Sequence, residues 1–350
     1  MEFLAEYGLF LAKVVTFVVA SVFIIGLIVS SKHKEAEKGH IRVTKLNDLY
    51  EEFTDTLKQE VFDSATLKQE HKQKKKQEKE QAKALKKTAK QDKGTEPPIK
   101  KRVFVLDFNG DIKASACDNL REEITALLGV ASANDEVVVK LESGGGMVHS
   151  YGLAASQLTR ITDKGIPLTV CVDKVAASGG YMMACVANKI LAAPFAILGS
   201  IGVVAQLPNF HRLLKKNDID YELFTAGEYK RTVTMLGENT KKGREKFLED
   251  IEHTHELFKD FVSEHRSVVD MTKVATGEVW YGRKALEVKL IDEIATSDAY
   301  LLAQHPEADI LSIEFHHKKT LSEKLGFAAE AATDRLLVKW WQRAQARQWF

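Results

Sequence analysis

Cysteine is scarce in this sequence of 350 residues, which contains only Cys117, Cys171 and Cys185. An odd number of cysteines cannot all pair within one chain, and these three show no metal-ligand spacing. Cys171 lies in an apolar run and Cys185 in an apolar helical pattern, so we expect both to be small buried hydrophobic residues. The cysteines therefore indicate neither a disulfide framework nor a cellular compartment.

An excess of charge of one sign is also lacking, because 50 basic and 49 acidic residues leave a formal net charge of +1 at pH 7. The sequence therefore lacks the overall basic character that would favour nucleic acid as a partner. The eleven histidines form no ligand cluster beyond the pairs His253/His255 and His316/His317, whose spacings suit no common helical metal site. We therefore expect no nucleic-acid partner, no metal and no cofactor.

One long hydrophobic run is present near the N-terminus, from Leu9 to Val29, and Lys13 is its only charge. As a helix with a rise of about 1.5 Å per residue it would span roughly 30 Å, which matches the bilayer core. The alternatives are a cleaved signal peptide and a buried core helix. Because Glu2 and Glu6 precede the run and only a poor cleavage site follows it, we favour a retained transmembrane anchor at residues 1–31.

The next segment, residues 32–100, is charged and is predicted to be a linker. One amphipathic helix is indicated by apolar residues at every third or fourth position, namely Leu46, Leu49, Phe53 and Leu57. Residues 64–93 then contain 11 lysines and four acidic residues. We favour a solvated helical or disordered tether over a contact with anionic lipid headgroups. The positive-inside bias of this segment would place the downstream domain in the cytoplasm.

From Arg102 onward, strand and helix patterns alternate. The runs VFVLDF and VVVKLE bracket the helical pattern NLREEITALLGVA, and PLTVCV follows the next helix. Such alternation predicts an α/β domain with largely parallel strands, which we place at residues 101–300. The apolar stretch Val186–Leu207 contains Asn188 and Lys189, and buried strands of such a domain read as near-continuous apolar runs. We therefore expect it to form core rather than a second membrane span.

Ser178 stands out within the segment VDKVAASGGYMMACVANKI. It follows a short apolar strand, opens an apolar helix and is flanked by Ala177, Gly179 and Gly180. Small neighbours leave its hydroxyl reachable, and unpaired N–H groups at a helix start can hold a developing oxyanion. The competing interpretation is that Ser178 only caps the helix.

Two further segments bear on that choice. Gly144, Gly145 and Gly146 lie between a β-branched run and a helical pattern, where the backbone can approach a ligand closely. Lys230 lies in the segment FTAGEYKRTVTMLGENT among small or apolar residues. A lysine in a dry setting loses its proton readily and can serve as the base for a serine. Taken singly, the glycine run also fits a flexible turn, and Lys230 also fits an ordinary solvated lysine.

Five segments between Leu141 and Ile294 together resemble the signal peptide peptidase A family of Ser–Lys serine peptidases. They are ESGGGMVHSYGLAASQL, VDKVAASGGYMMACVA, APFAILGSIGVVAQ, TAGEYKRT and ATGEVWYGRKALEVKLIDEI, in this order. The family usually has proline where this chain has Gly144. That departure removes a fixed φ and should loosen the turn without changing its chemistry.

The resemblance implies a fold and a set of site residues. The fold is a Clp protease/crotonase-like spiral of ββα units. Ser178 would be the nucleophile and Lys230 its general base, with Ser200 orienting the lysine amine. The N–H groups that would stabilise the tetrahedral oxyanion are those of Gly179 and of Gly145 or Gly146.

The resemblance also implies substrates, partners and a location. Hydrophobic peptides are expected, such as signal-peptide remnants or membrane-associated misfolded chains, with small apolar residues at the cut. Family members build ring-like homo-oligomers in which a lysine of one subunit completes the site of its neighbour, and spacing does not decide whether Ser178 and Lys230 meet within one chain. The bacterial inner membrane is the expected location. The side stays open, because the best-known members act on the periplasmic side.

Two other functions compete with a membrane-anchored endopeptidase. A crotonase-like acyl-thioester enzyme needs no Ser–Lys pair and gives no reason for an anchor. An inactive membrane scaffold is disfavoured by the presence of both Ser178 and Lys230.

The C-terminal region, residues 301–350, ends in the basic, tryptophan-containing segment RLLVKWWQRAQARQWF. This segment suits either a bilayer interface or docking against a neighbouring domain.

Overall fold

A computed structural model describes residues 39–63 and 100–317, with isolated residues between 7 and 17 and between 65 and 80. The larger of two compact units runs from Ile41 to Phe315. Most of the predicted anchor, most of the basic part of the linker and the tryptophan-containing segment lie outside the described residues. Among the residues described, none of the helices has both the length and the apolar character that a membrane crossing requires.

The described residues contain ten strands. They are β1 (His40–Lys45), β2 (Lys101–Gly110), β3 (Glu136–Ser143), β4 (Leu168–Val172), β5 (Val175–Ala177), β6 (Lys189–Ala192), β7 (Ile197–Gly199), β8 (Val279–Tyr281), β9 (Glu293–Ile294) and β10 (Ala308–His316). The same residues contain nine helices. They are α1 (Leu46–Val61), α2 (Cys117–Leu128), α3 (Val148–Thr162), α4 (Gly179–Ala184), α5 (His211–Lys216), α6 (Lys241–His265), α7 (Met271–Val274), α8 (Gly282–Glu287) and α9 (Ser297–Gln304).

The strands form one sheet in the order β1-β10-β2-β3-β4-β6-β9, and β5, β7 and β8 extend it from β3. Neighbouring strands from β10 to β9 are parallel, as are β3 with β5 and β5 with β7. Only the β7–β8 pairing is antiparallel among the pairings defined by register. The predicted α/β class with largely parallel strands is therefore confirmed.

The sheet is covered on both faces, as the alternation along β2 shows. Val103 and Val105 belong to an apolar cluster that includes side chains of α1 and α9. Phe104, Leu106 and Phe108 point to the opposite face and belong to the larger cluster with α2, α3 and α4. Successive side chains of a strand alternate between faces, so a strand buried on both sides is apolar throughout.

The sheet extends beyond the predicted domain of residues 101–300. Strand β1 and helix α1 lie in the predicted linker, and β10 lies in the predicted tail. Yet β10 sits between β1 and β2, with Ile310 opposite Val103. The compact unit spans Ile41 to Phe315, so the sheet includes residues on both sides of that predicted range. Pairing between segments so distant in sequence leaves no local pattern.

Several local predictions are confirmed. The amphipathic pattern in the linker is helix α1, and Cys171 and Cys185 are buried as expected. The apolar stretch Val186–Leu207 is core only in its first part, where it supplies β6 and β7. Val204 is 81% exposed, so the prediction of core is wrong for the end of that stretch.

Candidate active site

Three of the predicted site segments follow directly after parallel strands. The glycine turn follows β3, Ser178 follows β5 and Ser200 follows β7. In the register Ser143 lies opposite Ala176, and β5 and β7 end side by side. Because the carboxyl ends of parallel strands meet at one edge of a sheet, the structure brings the glycine turn and both serines together.

Ser178 has a strained backbone. Its φ is 52° and its ψ is −119°, in a region that residues with a Cβ rarely adopt. Such a conformation costs on the order of 1–3 kcal/mol and persists only where the surroundings enforce it. Here the Ser178 N–H donates to the Gly199 carbonyl at 2.7 Å, and its carbonyl accepts from the Met182 N–H at 3.0 Å. Strain of this kind clusters at active sites.

Ser200 shares this strain and lies in the neighbouring loop. Its φ is 51°, and its N–H donates to the Glu278 carbonyl at 2.7 Å. No hydrogen bond of the Ser178 or Ser200 hydroxyl is formed within the described part of the chain. Both hydroxyls therefore remain free to bind a substrate or a catalytic partner.

The glycine turn lies directly over Ser178. Gly145 has φ +87°, and a Cβ there would lie 2.7 Å from the Gly179 nitrogen and 2.8 Å from the Ser178 Cβ. A Cβ on Gly146 would lie 2.1 Å from the Ile112 carbonyl oxygen, whereas Gly144 has open space around it. Residues 145 and 146 must therefore be glycine so that the turn can pass close to Ser178, Gly179 and Ile112. At Gly144 the space around the residue does not require glycine.

The N–H groups near Ser178 differ in availability. The Gly145 N–H donates to the Ser143 hydroxyl oxygen at 3.0 Å. The N–H groups of Gly146 and Gly179 have no acceptor among the described residues. Of the two alternatives left by the sequence, Gly146 rather than Gly145 therefore offers a free donor beside Gly179.

A cleft of about 590 Å³ opens at these loops. It is lined by Gly144, Gly145, Gly146, Val148, Ser178, Ser200, Gly202, Val203, Val204, His255, Thr276 and Gly277. A small recess of about 20 Å³ adjoins it at Ser178 and includes Met182, Phe258 and Val203. The cleft thus brings a free serine hydroxyl, free backbone donors and an apolar recess together at one place.

Within a single chain, Lys230 lies outside the cleft that contains Ser178. It is exposed, it does not line the cleft, and its side chain forms no hydrogen bond with the described residues. The surrounding segment, residues 204–240, is exposed over most of its length. The structure therefore brings Ser178, Ser200 and the glycines together but not Lys230, and one chain alone does not give this lysine a dry setting.

Comparisons with known proteins identify the family. The N-terminal profile of peptidase family S49 matches residues 2–158, and the second profile of that family matches residues 160–310. Over 340 residues the chain is 48% identical to the "probable protease SohB" of Haemophilus influenzae, covering 97% of this chain and 96% of that protein. The chain belongs to peptidase family S49. This S49 peptidase is accordingly a serine-type peptidase.

This S49 peptidase is also similar to a second protease and, weakly, to a solved structure. The "probable protease SohB" of Buchnera aphidicola subsp. Acyrthosiphon pisum is 48% identical over 97% of this chain and 98% of its own length. A solved structure of a membrane-bound stomatin-specific protease aligns with 65% of this chain and 96% of its own. Its TM-score is 0.39 at 14% sequence identity, which is too weak to inform the site.

Three residues around the site of this S49 peptidase were missed by sequence reasoning. The hydroxyls of Ser143 and Tyr151 are buried beneath the glycine turn, 2.5 Å apart. The His255 imidazole lines the cleft, with Nε2 3.2 Å from the Ile201 carbonyl oxygen. The sequence showed His255 only as part of a histidine pair without metal spacing. Among the described residues no group of three or more His, Cys, Asp or Glu side chains is placed to hold a metal ion.

Proposed function

We propose that this S49 peptidase is a membrane-anchored endopeptidase in which Ser178 attacks the peptide carbonyl and Lys230 is the general base. The finer fold assignment, a Clp protease/crotonase-like spiral, is part of this proposal. The observation that carries it is the strained Ser178, which presents a free hydroxyl to the cleft beside the free N–H groups of Gly146 and Gly179. A nucleophile beside preorganised donors is the arrangement that acyl transfer needs.

In the proposed reaction, neutral Lys230 takes the proton of the Ser178 hydroxyl as the oxygen attacks the peptide carbonyl carbon. The tetrahedral oxyanion accepts hydrogen bonds from the N–H groups of Gly146 and Gly179, and the Ser200 hydroxyl orients the lysine amine. The lysine proton then passes to the leaving amine, the C–N bond breaks, and an acyl-enzyme forms. Water, deprotonated by Lys230, hydrolyses that ester and restores Ser178.

The substrates we propose are hydrophobic peptides with a small apolar residue at the cut. The recess beside Ser178 has a volume of about 20 Å³ and an apolar lining that includes Val148 and Met182. Because one water-sized probe occupies about 10–15 Å³, only a small side chain fits without rearrangement. Profiling with a peptide library tests this. A preference for charged residues on both sides of the cut would contradict it.

We further propose a homo-oligomer in which segment 204–240 packs against a second copy. Large apolar side chains are exposed along it, namely Val204, Leu207, Phe210, Leu213, Ile219, Tyr221, Leu223, Phe224, Tyr229, Met235 and Leu236. Extended apolar surface of this kind marks an interaction site. Packing there would also remove water from Lys230, which the base role requires.

Mixing inactive variants tests how Lys230 is supplied. Ser178→Ala and Lys230→Ala proteins are each assayed alone and then after co-refolding. Recovery of peptide hydrolysis in the mixture would show that the lysine of one copy serves the serine of another. If the mixture assembles but stays inactive, Lys230 serves Ser178 of its own chain.

The membrane anchor at residues 1–31 is part of the proposal and rests on the apolar run from Leu9 to Val29. We propose the bacterial inner membrane as the location, without assigning the side. If the run is a retained span, the full chain stays with membranes in alkaline carbonate and keeps its N-terminal segment. An N-terminus near Lys32 in protein purified from cells would show a cleaved signal peptide instead.

A further inference from the structure

A buried chain of hydrogen bonds runs beneath the glycine turn. The Gly145 N–H donates to the Ser143 hydroxyl at 3.0 Å, the hydroxyls of Ser143 and Tyr151 are 2.5 Å apart, and the Tyr151 hydroxyl donates to the Asp111 carbonyl at 2.7 Å. The side chain of Tyr151 is fully buried, and Ser143 is 2% exposed. Both hydroxyls are therefore confined to these partners.

The direction of every link follows from the partners. A carbonyl oxygen only accepts, so the Tyr151 proton points to Asp111. The Ser143 proton must then point to the Tyr151 oxygen, which leaves the Ser143 oxygen to accept from the Gly145 N–H. Because every proton has one acceptor, the chain has a single arrangement. It holds the glycine turn to strand β3, helix α3 and the loop after β2.

The surroundings are built for this hydroxyl pair. A Cβ on Gly110 would lie 2.5 Å from the Tyr151 hydroxyl oxygen and 2.6 Å from the Ser143 Oγ, so only glycine at this position leaves room for both. A Cβ on Gly179 would lie 2.4 Å from the Tyr151 Cγ, so the tyrosine ring also supports the residue that follows Ser178. Tyr151 therefore lies against Gly179 and is linked to the turn that carries Gly146 through the Ser143 hydroxyl.

We infer that Ser143 and Tyr151 are positioning residues of the oxyanion site. Their hydroxyls engage the Gly145 N–H and fix the turn so that the next N–H, that of Gly146, is left free beside the N–H of Gly179. This inference rests on the proposed function, since it assigns the two residues to hydrolysis at Ser178. Neither residue touches the substrate, and both act through the backbone of the turn.

The test removes one hydroxyl at a time. Tyr151→Phe keeps the ring beneath Gly179 and deletes only the hydroxyl, and Ser143→Ala deletes the acceptor of the Gly145 N–H. Misplacing a catalytic group by about 1 Å costs on the order of 100-fold, so each variant should lower kcat about 10- to 100-fold with KM unchanged. The double variant should lose little more than either single variant, because the chain acts as one unit.

Two further readouts separate positioning from a general loss of structure. The concentration of active sites is titrated with a fluorophosphonate, so that kcat refers to folded enzyme only. The affinity of a peptide aldehyde, which forms a tetrahedral adduct, should fall by the same factor as kcat/KM. Peptide affinity measured in the Ser178→Ala background should stay unchanged when Tyr151→Phe is added.

Tyr300→Phe is the matched control. The Tyr300 hydroxyl bonds Glu136 at 2.5 Å, at the opposite end of β3 from Ser143. Tyr300→Phe also removes a hydrogen bond between a tyrosine hydroxyl and a residue of β3, but far from the glycine turn. It should therefore keep wild-type kcat. Wild-type kcat in Tyr151→Phe, or an equal loss in Tyr300→Phe, would overturn the inference. Failure of the proposed function looks different, because wild-type protein would then show no Ser178-dependent hydrolysis.

Discussion

The loops around Ser178 and the segment around Lys230 are built in opposite ways. Ser178, Ser200 and the glycine turn each follow a buried parallel strand, and atoms stand within 3 Å of where a Cβ on Gly145 would lie. Lys230 lies in residues 204–240, where many apolar side chains are exposed and α5 is the one helix. One chain thus brings the Ser178 hydroxyl next to free backbone N–H groups, whereas under the proposed mechanism Lys230 must be brought to Ser178 by assembly or by substrate.

This difference has a physical cause. Turns that directly follow buried strands are fixed by the sheet, so they can hold strained residues such as Ser178. A segment without strands and with few buried side chains has little to hold it in place. We therefore expect residues 204–240 to be held more firmly when their apolar surface is covered.

The largest effect is expected from changing the base. Lys230→Ala should lower the rate of peptide hydrolysis by about 10²- to 10⁴-fold, since general-base assistance contributes that much. Because the Lys230 side chain forms no hydrogen bond with the described residues, the urea concentration at the midpoint of unfolding should stay unchanged. Lys216→Ala, in the same exposed segment, is the control and should keep wild-type activity. Wild-type hydrolysis by Lys230→Ala would remove Lys230 from the mechanism.

A smaller but still large effect is expected from Gly145→Ala. A Cβ there meets the Gly179 nitrogen and Ser178, so the oxyanion donors should shift and kcat should fall about 10²-fold. Gly165→Ala is the matched control, because Gly165 also has a positive φ of +69° but open space around it. Gly165→Ala should lose only the stability that a positive φ costs and should keep wild-type kcat. Equal kcat in both would show that the glycine turn is not tied to catalysis.

The segment itself is probed by Phe224→Ser. Phe224 is 86% exposed in residues 204–240, and Phe195 is 85% exposed outside them. If the segment packs against a second copy, Phe224→Ser should weaken self-association about tenfold, the factor that corresponds to about 1.4 kcal/mol. Phe195→Ser should not weaken it. Analytical ultracentrifugation measures the self-association of both variants. If the two variants associate equally strongly, the interface between copies lies outside residues 204–240.

The smallest effect on activity is expected from Glu123→Gln in the compact unit. Burial raises the pKa of Glu123 to about 7, although its carboxylate accepts the Phe315 N–H at 2.8 Å. Since the folded pKa lies above the ordinary 4.5, the protonated group stabilises the fold at low pH, and this contribution is lost as the pH rises towards 7.

Glutamine cannot ionise, so Glu123→Gln should flatten this fall in stability. Relative to the wild type, the variant should gain roughly 1–3 kcal/mol between about pH 5 and pH 8, measured by urea unfolding. Its kcat should match the wild type. An identical pH dependence of the two proteins would contradict the raised pKa.

Local patterns predicted much of this architecture. The runs VFVLDF, VVVKLE and PLTVCV are strands β2, β3 and β4, and the helical pattern between the first two is α2. The glycine turn, Ser178 and Ser200 could be found because each is a short motif next to a strand. The pairing of β10 with β2 could not, because it joins segments far apart in the chain.

Two features of the site were also beyond local patterns. The bond from Tyr151 to the Asp111 carbonyl joins residues on different elements, and a serine or tyrosine near a turn has no special spacing. The exposure of Lys230 was hidden for a different reason. Its apolar neighbours suggested a dry setting, but apolar residues are buried only when something covers them.

The central claim is that Ser178 is the nucleophile and that Lys230 activates it. Intact mass measured after reaction with a fluorophosphonate tests this directly, because the reagent adds covalently to an activated serine. We expect one adduct per wild-type chain, mapped to Ser178, none on Ser178→Ala, and labelling of Lys230→Ala slowed at least 100-fold. An adduct that persists in Ser178→Ala, or wild-type labelling rates in Lys230→Ala, would contradict the account.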